Sequence, residues 1–113
     1  MEAINNIINH LVEWSENKVP INPEQWIDAG LKLNVLKEDS LNGQIIALQE
    51  SLAKKRYQIL LEGKTAAFAK IAVEADPEYA ECKKLEAKVK TIEEHIRLAK
   101  IRGKMGLDDY NSH

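Results

Sequence analysis

Ala75-Asp76-Pro77-Glu78-Tyr79 is the stretch on which the fold reading turns. Asp76 is a strong N-cap type, Pro77 suits the first helical position, and Glu78 places a carboxylate where the helix dipole favours one. The residue before a proline is also pushed out of the α region. The segment therefore predicts that one helical arm ends near Ala75 and another begins at Asp76. If the arms fold back on this break, residues equally distant from Asp76 on either side face each other. Phe68 and Ile71 would then meet Leu85, Ile59 would meet Ile92 and Ile96, and Leu48 and Leu52 would meet Ala99 and Met105.

Helical patterning extends from the break in both directions. Downstream, Leu85, Val89, Ile92, Ile96 and Ala99 make a stripe at three- and four-residue spacing, up to glycine stops expected at Gly103 and Gly106. Upstream, Leu41, Ile45, Leu48, Leu52 and Ile59 follow coiled-coil spacing, with weak points at Gly30, Asn42-Gly43 and Gly63. Asn22-Pro23-Glu24-Gln25 is a second start signal, with Gln25 able to close a capping box. Before it, Ile4, Ile7, Ile8, Leu11, Val12 and Trp14 form the apolar face of a short first helix, ended by Pro20. The expectation is a single all-α domain: an N-terminal helix and linker over 1–19, a long helical arm over 22–75, a C-terminal helix over 76–105 and a tail over 106–113. Whether the first helix packs on its own chain or on a neighbour is open. So thin a hairpin leaves Trp26, Ile27, Val35, Tyr57, Leu60, Leu61 and Ile101 off its seam, which predicts a homo-oligomer.

Composition fits this class. Charged residues make up 30% of the chain and aromatic residues only 5%. That balance suits long amphipathic helices. The lone Cys82 excludes an internal disulfide and fits a reducing compartment. No run approaches the roughly 20 apolar residues of a membrane span, and the first apolar run, interrupted by Asn5, Asn6, Asn9 and His10, does not read as a signal peptide. The expected location is the cytoplasm. The net charge of −2 hides a division: three cations against eight acids in residues 1–50 give −5, and thirteen against ten in residues 51–113 give +3. Such segregation also suits head-to-tail self-association.

Motifs for catalysis are lacking. Gly63-Lys64-Thr65 resembles the end of a P-loop, but the position five before Gly63 is Gln58. His10, His95 and His113 have no ligand spacing, and Cys82 has no base beside it. Glu38-Asp39, Glu93-Glu94 and Asp108-Asp109 are adjacent rather than facing pairs. No enzyme activity, cofactor or metal is expected. The cations differ in kind. Lys54-Lys55-Arg56-Tyr57 lies in a stretch without acid between Glu50 and Glu62, and Arg97, Lys100, Arg102 and Lys104 lie in another from 95 to 107. The fold-back on Asp76 would set 54–56 opposite roughly 96–98, gathering seven cations for a polyanion. Tyr57 would stack on an unpaired base or pack in the core.

Several of these features together resemble the UvsY family of phage recombination mediators. They are the entry segment with Trp26, Ile27, Leu31, Leu33 and Leu36; Leu52-Ala53-Lys54-Lys55-Arg56-Tyr57 followed by Gly63; Ala75-Asp76-Pro77-Glu78-Tyr79; and Ala99-Lys100-Ile101-Arg102-Gly103-Lys104. The match covers about residues 24–105. The resemblance implies a ring-forming homo-oligomer in the host cytoplasm that binds single-stranded DNA, helps displace single-strand-binding protein and loads a RecA-like recombinase. It places Lys54, Arg56 and Tyr57 in the neighbourhood of that family's DNA-binding motif. The alternative is a helical structural or adaptor protein, a phage assembly component or coiled-coil interaction domain, in which the same cations serve solubility or a protein interface.

Overall fold

A computed structural model describes residues 1–16 and 21–111, all helix and turn with no strand among them. Helix α1 spans Glu2–Glu16, α2 Pro23–Lys37, α3 Gly43–Leu61, α4 Ala66–Glu74 and α5 Pro77–Asn111. A π-helical turn, Glu38–Asn42, joins α2 to α3 without interrupting the right-handed backbone. Asn42-Gly43 is therefore no turn, since Gly43 keeps φ −61° and ψ −41°.

The α2 start follows its sequence signal. Asn22 Oδ1 accepts from the Glu24 N–H at 3.0 Å, while Gln25 Oε1 accepts from the Asn22 N–H at 3.1 Å. These are the two halves of a capping box. Asp76 likewise caps α5, accepting from the Glu78 N–H at 2.9 Å.

The chain does not reverse at Asp76, however. It reverses at Glu62–Thr65, where Gly63 takes φ +86°. That left-handed conformation costs a glycine little. Thr65 then caps α4, its Oγ1 accepting from the Phe68 N–H at 3.1 Å. Helix α4 returns along α3, and α5 continues the same way after a kink at Ala75-Asp76. The facing pairs record this register: Ser51 donates to Glu78 at 3.0 Å, Gln49 to Glu86 at 3.3 Å, Lys37 lies 3.6 Å from Glu93, and Gly30 and Ala99 sit at a close approach. The long arm expected over 22–75 therefore comprises the whole outgoing arm, α2 to α3, and the first short helix of the return. The pairings expected from a pivot at Asp76 are not formed. Phe68 and Ile71 face outward, and Ile71 is 68% exposed.

The molecule is a rod with extents of 70 × 24 × 21 Å. At one end, α1, α2 and α5 enclose Ile4, Leu11, Trp26, Ala29, Leu33, Leu41, Ile92, Ile96 and Ala99. Helix α1 thus packs on its own chain: Trp14 meets Trp26 edge-on at 5.2 Å, and Lys88 Nζ donates to Asn5 Oδ1 at 2.9 Å. Trp26 is only 8% exposed and Ile27 lies against Gly103, so neither is the outward residue expected from the sequence. Towards the other end a smaller core joins Ile45, Leu52 and Cys82, with Leu48, Val73 and Tyr79 packed on it.

The glycine stops expected in the last helix are absent, since α5 runs through Asn111. Gly103 has a different role. A Cβ there would stand 2.6 Å from Ile27 Cγ1 and 3.2 Å from the Pro23 carbonyl oxygen. Gly costs about 1 kcal/mol against Ala inside a helix, and here that loss allows α5 to lie against the start of α2. The expected boundary at 105 and the tail up to residue 111 give way to helix, while the tail's last two positions, like the linker and helix end expected over 17–20, lie outside the described residues.

Candidate nucleic-acid interface

The two basic runs occupy different parts of the rod. Lys55 points across to the first turn of α5, with its Nζ 2.9 Å from Asp76 Oδ2 and also bonded to Glu78 Oε1. The Glu78 hydrogen bond, then that of Asp76, holds the Lys55 ammonium above its ordinary range. Lys55 and the Glu78 backbone N–H lower the Asp76 carboxyl, and Lys55 with the Ser51 hydroxyl lowers that of Glu78. Lys55 is thus engaged in joining α3 to the kink, while Lys54, Arg56 and Tyr57 point outward, Tyr57 being 61% exposed.

This network has a pH signature. Depressed carboxyls stabilise the fold above their unfolded values and lose that contribution as pH falls through the folded ones. A raised lysine contributes below its unfolded value and loses it as pH rises through the folded one. The Lys55→Met variant is therefore expected to melt below wild type at pH 7. Thermal unfolding across pH should show the gap closing only below the ordinary carboxylate range, about pH 4, or above the ordinary lysine range, about pH 10.

The second run lies on α5 alongside α2. Arg97 stands roughly 30 Å beyond Asp76 along the helix, at about 1.5 Å per residue. The seven-cation cluster expected from a fold-back at Asp76 is therefore not assembled within one chain. The cause is the pivot: with reversal at Gly63–Thr65, α3 positions 54–56 lie level with the start of α5, Lys55 alone reaching across to it, and positions 96–103 lie alongside α2. Arg97, Lys100, Arg102 and Lys104 are nevertheless all exposed. Arg97 pairs with the equally exposed Glu94 at 3.0 Å. Such a pair is worth little in water. The Arg102 guanidinium lies 5.5 Å from the Trp26 ring centroid. This cation–π contact holds it against the three-helix end. Leu98 and Ile101 are exposed between these cations, and Met105 just beyond them.

A further alignment is invisible to a search for runs without acid and emerges only from helix faces. Lys83, Lys90, Arg97 and Lys104 recur every seven residues, all exposed. On a straight α-helix they drift only about 20° per step and stand roughly 10.5 Å apart. Glu86, paired with Lys83 at 3.2 Å, and Glu94 interrupt this row, so its clean portion is the C-terminal one already named.

The remaining chemistry is sparse. Burial, then the Glu86 carboxylate 3.5 Å away, pushes the Cys82 thiol up. That shift takes it away from nucleophilic character. Among the described residues no three His, Cys, Asp or Glu side chains form a metal-binding group, and no helix is long and apolar enough to cross a membrane. The cleft between α3 and α4, about 400 Å³, is lined by Ser51, Lys54, Gln58, Ile59 and Val73 and bounded by the Lys55 network. No family model, curated protein or solved structure matches the chain.

Proposed function

We propose that this chain is a non-enzymatic, sequence-independent single-stranded DNA-binding protein that acts as a homo-oligomer in recombination. Its task is to help load a RecA-like recombinase onto DNA held by single-strand-binding protein. The observation that carries DNA binding is the end of α5: four exposed cations within eight residues, no acid from His95 to Met105, and exposed apolar side chains between them. Cations so arranged bind phosphate and release counterions, while Leu98, Ile101 and Met105 offer apolar surface to unpaired bases. Lys54 and Arg56 form a smaller second group on α3. The recombination role rests on the sequence resemblance.

Fluorescence anisotropy with labelled oligo-dT tests the reading. Four phosphate contacts give a log–log salt slope of about −3 for single strands, so affinity should fall on the order of fiftyfold between about 50 and 200 mM salt. No binding at low salt would overturn it. The adaptor reading would then stand, favoured by the apolar tip of the rod, where Leu61, Phe68 and Ile71 are more than half exposed.

A further inference from the structure

We infer that α3 pairs with α3 of a second copy, antiparallel, across a two-fold axis at Ala53. This rests on the self-association in the proposed function and specifies the surface that produces it. One side of α3 is covered: Lys55, Ser51, Leu52 and Ile45 face α5, and α4 lies over Gln58 and Ile59. The other side carries Ile46, Ala53 and Leu60 in a row at seven-residue spacing. Ile46 is 55% and Leu60 40% exposed, and Tyr57 flanks them. Nothing else in the described chain covers this row, which is a coiled-coil seam with one strand missing.

The row is self-complementary, which selects a second copy over an unrelated helix. Ile46 and Leu60 are equally distant from Ala53, so reversing the helix about Ala53 sets Ile46 on the partner's Leu60 and Leu60 on the partner's Ile46. An isologous contact has this reciprocity. The small Ala53 side chain at the centre permits close approach of the two backbones. In an antiparallel pair the same flank of each helix meets its counterpart. Glu50 and Lys54 share a flank with Tyr57, so Glu50 comes nearly level with the partner's Lys54 and Tyr57, opposing charges and offering the carboxylate a phenol donor. Arg56, on the other flank, comes nearly level with the partner's Gln49 and stays at the rim. The seam from Ile46 to Leu60 is roughly 21 Å long. The pairing also extends the rod, placing the two α5 cation groups at opposite ends.

The test uses the full chain. An Ala53→Cys variant puts one new thiol per chain at the axis, the place where an isologous pair brings identical residues within the roughly 4.4–6.8 Å Cα separation of a disulfide. Mild oxidation should give mainly a cross-linked dimer on a non-reducing gel, while a Thr91→Cys control on α5 stays monomeric. Charge reversal adds a second readout. Glu50→Lys and Lys54→Glu should each weaken dimerisation by about tenfold or more in sedimentation, through like charges at the seam, and an equimolar mixture of the two should recover it as the heterodimer. An oligomer that persists without Ala53→Cys cross-linking, or that ignores both reversals, overturns this seam and leaves self-association standing. Equal cross-linking of both cysteine variants marks random collision and also overturns it. A concentration-independent monomer mass removes the seam and the homo-oligomer together.

Discussion

Ile92→Ala should lower the unfolding free energy by about 2–5 kcal/mol, the usual cost of deleting a buried aliphatic side chain and leaving a partly unfilled cavity. Ile92 is fully buried where α5 crosses the α1–α2 end, and Leu33, also fully buried, belongs to the same core, so Leu33→Ala should cost a similar amount. A rod of this shape has little core to spare, and domains of this size are stable by only about 5–15 kcal/mol. The loss therefore takes a large share of the total. The comparison that makes the test informative is Ile71→Ala. Under a pivot at Asp76, Ile71 would be seam and its loss would cost as much as that of Ile92. With reversal at Gly63–Thr65 it is outward, and truncation should fall within about 0.5 kcal/mol of wild type. Urea unfolding at one fixed protein concentration, which keeps any assembly constant, reads all three. Equal losses for Ile71→Ala and Ile92→Ala would contradict the register.

The reasons why the register is hidden in the sequence are visible in particular residues. Asn22-Pro23 and Asp76-Pro77 are legible because capping is local: the side chain, the proline and the first-turn acid all act within four residues. Those signals say where a helix starts and nothing about where the chain turns back. The reversal depends on Gly63 taking a positive φ and Thr65 capping the next helix, and in sequence these look like one soft spot in a long helix. The stripe from Leu85 to Ala99 is legible as a stripe, yet its partner is not, since aliphatic seams fit many registers. Gly30 and Gly103 are the clearest case. Read locally, one is a weak point and the other a stop. In the fold both lie where α2 and α5 come close, and at Gly103, where a Cβ would collide with Ile27, tertiary packing overrides propensity. The basic runs are likewise evident as runs, while their convergence depends wholly on the pivot.

Replacing Arg97, Lys100 and Lys104 together by Ala is expected to have the largest effect on DNA binding. Alanine keeps the helix, and all three side chains are exposed, so the fold should survive with its circular dichroism and melting unchanged. Arg102 is left in place because its guanidinium lies on Trp26. Its loss would disturb packing as well as charge. Lys54-Lys55-Arg56 is the less informative target for the same reason: removing Lys55 strips Asp76 and Glu78 of their cation at the kink. A single-strand complex deprived of three phosphate contacts should show a log–log salt slope shallower by about 2. That difference amounts to on the order of a hundredfold weaker binding at about 0.1 M salt and converges with wild type near 1 M. Convergence separates a charge effect from misfolding, which would weaken binding at every salt concentration. If the slope is unchanged, the end of α5 is not the phosphate surface. An Arg56→Ala variant, which spares both Lys55 and the Lys54 of the proposed α3 seam, then shows whether α3 is.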